Sequence, residues 1–393
     1  MFGYLVPTRN FILSFIYKYF LKVLFFKIPP ESMHDSMVNF GSFLGKFTFT
    51  KKITSALFNY QNPMLKQKIL GISFENPVGL SAGFDKDANL MDILPSAGFG
   101  FEEIGSVTAK PYPGNPGIRL FRLPNSRSLG VNYGLKSQGA LKISRKLKNR
   151  KFKFPIGISI AKTNSTETVD EKKAIEDYVE GFKHFTKIGD ASFSYFTLNI
   201  SCPNTFGGQP FHNSKMLDNL LKQIDKIPTK KPIFIKFSPD LTDQEVDGII
   251  KVCDKHRVHG FIMGNLTKNR KSKKIRDKKL PEKGGLSGKV VEELSNNLIK
   301  YLYQKTKGGY VIIGCGGVFR AEDAYKKIKL GASLIQLITG MIYQGPQTIS
   351  EINLGLVRLL KDDGYSSISE AVGSCFLEKT KPTFLPFPEA ALN

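Results

Sequence analysis

From about residue 70 onward, short apolar runs alternate with amphipathic stretches. The β-rich runs fall at 77–81, 101–107, 155–161, 195–201, 232–237, 259–264, 310–314 and 333–338. Helical spacing of apolar residues marks 171–188, 242–255, 289–305 and 320–330 between them. Strands that alternate with helices predict a parallel sheet. Eight such units predict a closed (β/α)₈ barrel, a TIM barrel in the α/β class. Two long insertions interrupt the rhythm, at about 108–150 and 266–288, and loops of that length are usually functional or disordered.

The N-terminus follows a different pattern. Residues 11–26 (FILSFIYKYFLKVLFF) are apolar and aromatic, broken by Lys18 and Lys22 and followed by Lys27. A spanning helix needs roughly 20 apolar residues with few charges, and no small-residue cleavage site follows. Two lysines four apart share a helical face. The pattern suits a helix lying in the membrane interface with its lysines toward anionic head groups. Pro29-Pro30 ends that helix, and a second is predicted from about 31 to 46, with Met33, Met37, Phe40, Phe43 and Leu44 at helical spacing. The expected division is therefore a helical membrane-associating cap over 1–46 and a barrel domain over 47–393. The competing reading packs the cap on the barrel, away from lipid.

Composition adds one unusual feature. The chain of 393 residues has a net charge of +23, which suggests an anionic partner or simply a lysine-solubilised surface. Cys202, Cys253, Cys315 and Cys375 are widely spaced and form no metal-ligand or disulfide pattern. A reducing compartment and no metal site are expected.

Chemistry gathers where the strands end. Those ends read Ala82-Gly83-Phe84-Asp85-Lys86, Gly105-Ser106, Ala161-Lys162, Asn199-Ile200-Ser201-Cys202-Pro203-Asn204-Thr205, Lys236, Asn265, Gly314-Cys315-Gly316-Gly317 and Thr339-Gly340. In a barrel this is the active-site face. The Asn199–Thr205 run sets a thiol and two carboxamides after a buried strand. Cys can take a proton and Asn can both donate to and accept from a planar heterocycle; the alternative is an inert buried Cys beside an Asn-Pro turn. Glycines before the helix near Arg320, with Thr339-Gly340 after the last strand, predict a phosphate site.

Taken in order over nearly the whole chain, these pieces resemble the dihydroorotate dehydrogenase family. Asn76-Pro77-Val78-Gly79-Leu80, Gly98–Phe101, Glu103–Thr108, Gly114-Asn115-Pro116, Arg119–Leu123 and Gly284–Gly288 carry the resemblance further. The cap, with Pro30-Glu31 and His34, is similar to the membrane-associated, quinone-using class 2. The resemblance implies an FMN-bearing barrel of pyrimidine biosynthesis. A base takes a proton from C5 of dihydroorotate, hydride passes from C6 to the flavin, and a membrane quinone receives the electrons. It implies FMN contacts from Ala82, Gly83, Lys86, Ser106, Ser159, Asn199, Lys236, Gly264, Gly288, Gly316, Gly317, Ile338 and Thr339. The substrate would lie on Lys86, Asn132, Asn199, Asn204 and Asn265, with Cys202 as base. It implies a peripheral position on the inner membrane, at the cytoplasmic face in a bacterium or in the mitochondrion of a eukaryote.

The chain departs from the family pattern at several positions. Class 2 enzymes carry Ser where Cys202 stands, and Cys is the habit of the soluble class 1. A thiol, with a reference pKa near 8.5, needs less help to act as a base. Ser159 replaces an Asn, Leu266 a Thr and Ile338 a Tyr. The substrate-loop Asn falls on Val131 without a gap and on Asn132 with a one-residue shift; Asn132 is preferred. Three rivals remain: a class 1-like enzyme with a soluble acceptor such as fumarate, an FMN-dependent tRNA dihydrouridine synthase, and a non-catalytic membrane flavoprotein. The tRNA enzyme would suit the basic charge, but no RNA-binding module follows residue 365, and no nucleic-acid partner is expected. The oligomeric state is not legible.

Overall fold

A computed structural model describes residues 5–152 and 154–376; the remainder of the expected barrel domain, 377–393, lies outside the described residues. Thirteen strands are formed among them. Eight close a parallel barrel in the order β3 (Val78–Leu80), β4 (Phe101–Val107), β7 (Ile156–Ile160), β8 (Tyr195–Asn199), β9 (Ile233–Phe237), β10 (Gly260–Met263), β12 (Val311–Cys315) and β13 (Leu334–Leu337), which pairs back to β3. Each expected strand is present within about two residues. The reason is burial on both faces: strands sandwiched between a filled interior and a helical shell read as continuous apolar runs.

Alternation along each strand decides what enters the barrel. On β8, Phe196 and Leu198 join the shell core, while Tyr195 joins the interior cluster with Phe101, Phe234, Ile262, Val311, Ile313 and Leu334. The same alternation sends Thr197 and Asn199 inward above Tyr195, and Lys236 inward above Phe234. A hairpin not predicted from the sequence, β1 (Gln67–Ile69) with β2 (Ile72–Phe74), reaches that floor through Phe74, whose ring meets Phe101 edge-on at 5.5 Å.

The two insertions meet. In the first, β5 (Leu120–Leu123) and β6 (Ser128–Val131) form a hairpin; the second contributes β11 (Gly285–Gly288), which pairs antiparallel with β6. A three-stranded sheet thus joins two loops far apart in sequence.

The N-terminal run is helical from Leu5 to Phe25 through a π turn at Tyr17–Leu21. Pro29 is extended and Pro30 opens the second helix, Pro30–Gly45, where its missing N–H has no helical partner to lose. A third helix, Thr48–Phe58, follows. One face of this assembly is fastened to the barrel. Asn10 and Arg9 bond Ser350, Tyr17 donates to the Ile342 carbonyl at 2.6 Å, and Arg122 donates to the Phe26 and Ile28 carbonyls. The other face is apolar and exposed: Phe11, Phe15, Tyr19, Phe20, Leu24, Phe43 and Phe49 among others. No helix among the described residues is long and apolar enough to cross a membrane.

Candidate active site

The barrel interior turns polar toward the carboxyl ends of its strands. Glu103 on β4 is fully buried, with Lys236 Nζ at 3.5 Å, Gln336 Nε2 donating at 3.0 Å and Thr197 Oγ1 at 3.2 Å. Lys236 also donates to Ser81 Oγ at 3.2 Å. Burying a cation or a carboxylate is costly unless it is paired and hydrogen-bonded, and here the two are partners.

Above this layer runs a chain of hydroxyls and amides. Asn265 Nδ2 donates to Ser201 Oγ at 2.8 Å and to Asn199 Oδ1 at 3.3 Å. Asn199 Nδ2 donates to Ser106 Oγ at 2.7 Å, and Ser106 shares a hydrogen bond of 2.8 Å with Ser159. Four strand ends, those of β4, β7, β8 and β10, thereby present one polar surface. Ser159, which stands where the family pattern has Asn, is integrated through its hydroxyl.

The glycine cradle lies across β12 and β13. Gly316 and Gly317 have φ of +107° and +75°, and a Cβ at 317 would overlap Glu292. Only glycine relieves both constraints. At Gly288 (φ +87°) a Cβ would stand 2.9 Å from Thr339 Cγ2. Thr339 opens the helix Thr339–Gln344 and shares a 2.9 Å hydrogen bond with Ser287. Over Gly83 (φ +110°) the space is open, with only the Ile338 tip at 3.9 Å; Ala82 precedes it at the same rim. Gly264, also at positive φ, lies too close to the Cys315 carbonyl to carry a side chain. A bare platform beside Gly83, backbone amides at Gly316-Gly317 and a buried cation at Lys236 fit a flat, phosphate-bearing group.

Cys202 follows β8 at the edge of this surface and is half-buried. Burial pushes its thiol up to about 11, against the Asn204 N–H and the cations Lys162 and Lys268, which favour the thiolate. The advantage expected of a thiol from its reference value is therefore offset by its surroundings. Lys162, at the end of β7, is anchored by the Phe206 and Thr168 carbonyls at 2.7 and 3.0 Å.

Contacts link Cys202 to Lys86. Asn204 Nδ2 donates to the Val131 carbonyl at 2.9 Å. Asn115 Nδ2 donates to the Asn204 carbonyl at 3.1 Å and to Asn132 Oδ1 at 3.2 Å. Tyr133, the next residue, lies beneath Lys86, whose Nζ is 4.1 Å from the ring centroid. Burial, aided by Lys136, lowers Lys86 to about 8. A bound anion would raise it again. Asn132 and Asn204 both line an open cavity of about 440 Å³ with Pro203, Lys268, Arg270, Glu282, Lys283 and Gly284. Val131 is held in the sheet, paired with Leu120 and Gly285. Asn265 is held in the network, its Oδ1 accepting from the Leu266 N–H. Ile338 flanks Gly83 and donates no hydrogen bond from its side chain.

Sequence reasoning quoted Glu103 and Asn115 within motifs but gave them no role, and it missed Gln336 and Tyr133. Glu103 carried a usable signal: a carboxylate inside a run buried on both faces demands a partner. The cap also reaches this region. His34 Nε2 bonds the Phe84 carbonyl at 2.8 Å, and Glu31 pairs with Arg119 at 2.5 Å.

Residues 64–360 match the family described as Dihydroorotate dehydrogenase. A relative from Trichodesmium erythraeum named Dihydroorotate dehydrogenase (quinone) is 38% identical over 366 residues, covering 88% of this chain and 94% of its own. One of the same name from Haloarcula marismortui is 35% identical over 353 residues, 90% of this chain and 97% of its own. Among solved structures, ligand-free DHODH from Eimeria tenella superposes with a TM-score of 0.78 at 30% identity, covering 89% of this chain and all of that one. The same organism's DHODH in complex with ferulenol gives 0.76 at 28% identity, over 88% and 95%. Similarity of this extent, on a barrel whose strand ends carry the motifs in order, places the chain in the dihydroorotate dehydrogenase family, among relatives named for quinone.

Proposed function

We propose that this protein oxidises (S)-dihydroorotate to orotate on FMN and returns the electrons to a membrane quinone. The observation that carries the reading is the continuous polar surface from Ser159 through Ser106, Asn199 and Ser201 to Asn265, with Cys202 at its edge. FMN would lie over Gly83, its phosphate toward Gly288, Gly316, Gly317 and Thr339 and its ring beside Lys236, Ser106 and Asn199. When bound, FMN accepts the hydride that leaves C6 of the substrate.

The chain's own residues supply the rest. Lys86 holds the substrate carboxylate, and the anion in turn keeps Lys86 charged. Asn132, Asn199, Asn204 and Asn265 position the pyrimidine, since carboxamides match an imide edge as donor and acceptor. The Cys202 thiolate takes the C5 proton, so the C5–H pair becomes the new C5=C6 bond as C6 gives up its hydride. Lys162 and Lys268 favour that thiolate. Glu103 balances the charge of Lys236 in the dry interior.

The cap supports the quinone reading. Its exposed apolar side chains, including Phe11 and Phe49 at 71% exposure each, suit the membrane surface. Its barrel-facing side reaches Phe84 through His34, so a lipid-dissolved acceptor could approach the flavin without crossing water. The membrane-associating region then extends through the helix Thr48–Phe58.

The test uses the full chain in detergent, loaded with FMN. Anaerobic dihydroorotate should bleach the flavin, and a long-chain quinone should restore its colour faster than fumarate or NAD. Faster recovery with fumarate would assign the class 1-like acceptor. A flavin bleached by NADPH and reoxidised by tRNA dihydrouridylation, but inert to dihydroorotate, would assign the rival RNA chemistry.

A further inference from the structure

The segment 268–283 carries nine Lys and Arg residues against two acidic ones, and of these cations the catalytic reading above uses Lys268 alone. Three of these cations, Lys268, Arg270 and Lys283, line the open cavity that Asn132 and Asn204 also line. Glu282 is the single acid among them. The base of the segment is fixed. Lys268 N–H donates to Asp240 Oδ2 at 2.8 Å, Thr267 Oγ1 bonds the other Asp240 oxygen, and Thr267 bridges to Leu286. Arg270 is braced by one nitrogen, Nη2, on the Gly284 carbonyl at 2.6 Å. Its Nη1 is buried without a hydrogen-bond partner among the described residues.

We propose that Lys268, Arg270 and Lys283 form an anion-collecting mouth at the cavity that Asn132 and Asn204 line. The inference rests on the dihydroorotate reading and adds the route by which the carboxylate arrives. A cavity lined by one sign of charge concentrates the opposite ion and raises its on-rate. A unit charge at roughly 8 Å in water changes the encounter by about twofold to threefold, so three give about tenfold at low salt. Lys268 is exposed, so its charge can be removed without opening the core.

The test uses the FMN-loaded full chain and two readouts. Orotate binding is followed by calorimetry, and anaerobic flavin bleaching by dihydroorotate in stopped flow, each from about 20 to 200 mM salt, where screening grows. Wild type should lose orotate affinity and second-order bleaching rate as salt rises. K268Q/R270Q/K283Q should begin about tenfold lower and depend little on salt; single K268Q and K283Q variants should fall about twofold to threefold. K278Q/K279Q, in the same segment but outside the cavity lining, should match wild type. A triple variant that keeps the wild-type salt slope overturns the mouth. If wild type itself neither binds orotate nor bleaches with dihydroorotate, the catalytic reading falls, and the mouth with it.

Discussion

The sharpest consequence of the site concerns the ionisation of Cys202. Burial carries the thiol from 9.0 to about 11, which at 1.36 kcal/mol per unit is about 3 kcal/mol against the thiolate. At pH 8 only about one site in a thousand then holds the base in its active form. With Cys202 as the proposed base, its thiolate would take the C5 proton, and the rate should rise with pH below that value. At saturating dihydroorotate, first-order flavin bleaching in stopped flow should climb about tenfold per pH unit from pH 7 to 10 and level near 11. Cys202→Ala should keep its FMN, bleach roughly 10²–10⁴ slower, the usual size of a general-base contribution, and lose the slope. Cys202→Ser should retain part of the rate, with its rise displaced to higher pH. A wild-type profile already level below pH 8, or a Cys202→Ala protein that bleaches at the parent rate, refutes the assignment of Cys202 as base.

Other outcomes follow from burial and shape. Replacing Phe11, Phe20 and Phe49 with Ser should leave the melting temperature nearly unchanged, since these rings are exposed. It should weaken vesicle sedimentation by roughly 1.5–3 kcal/mol per ring that lipid would bury. Lys18→Glu/Lys22→Glu should release the protein from anionic vesicles most clearly at low salt. Glu102 is fully buried; burial and the Asp85 carboxylate push it well above its ordinary range. A carboxyl raised on folding contributes stability at low pH that is lost as pH rises from its unfolded value, by up to about 1.4 kcal/mol per unit. Glu102→Gln should therefore flatten the decline in denaturation midpoint between pH 5 and 7.5; an unchanged slope counts against the raised carboxyl. Gly317→Ala, at φ +75° and against Glu292, should cost about 1–3 kcal/mol and reduce bound flavin, read by absorbance after desalting.

The barrel was legible in the sequence because its strands are buried on both faces. Runs such as Tyr195–Asn199 and Ile233–Phe237 keep an apolar signature that survives without any knowledge of neighbours. Punctuation was legible for a related reason. Gly316-Gly317 and Pro29-Pro30 act through their own backbone restrictions, so the cradle and the break between the cap helices could be placed from residue type. The short hairpin at 67–74 was not legible, because three-residue strands hold too little periodicity.

What only the tertiary structure decided are the relations between distant residues. Nothing in 108–150 or 266–288 announces that β6 and β11 pair, since strand pairing is a property of two segments and neither encodes its partner's position. That pairing holds Val131 in a sheet and brings Asn132 beside Asn204 at the cavity. The charge of Lys236 had no visible counterpart until the barrel closed and brought Glu103 within 3.5 Å. The same holds for Cys202: residue type supplies a thiol, but desolvation and the placement of Lys162 and Lys268 set its acidity. Residue types determined which chemistry was possible at the strand ends; closure of the chain determined which groups meet, how dry they are, and therefore which charges they can hold.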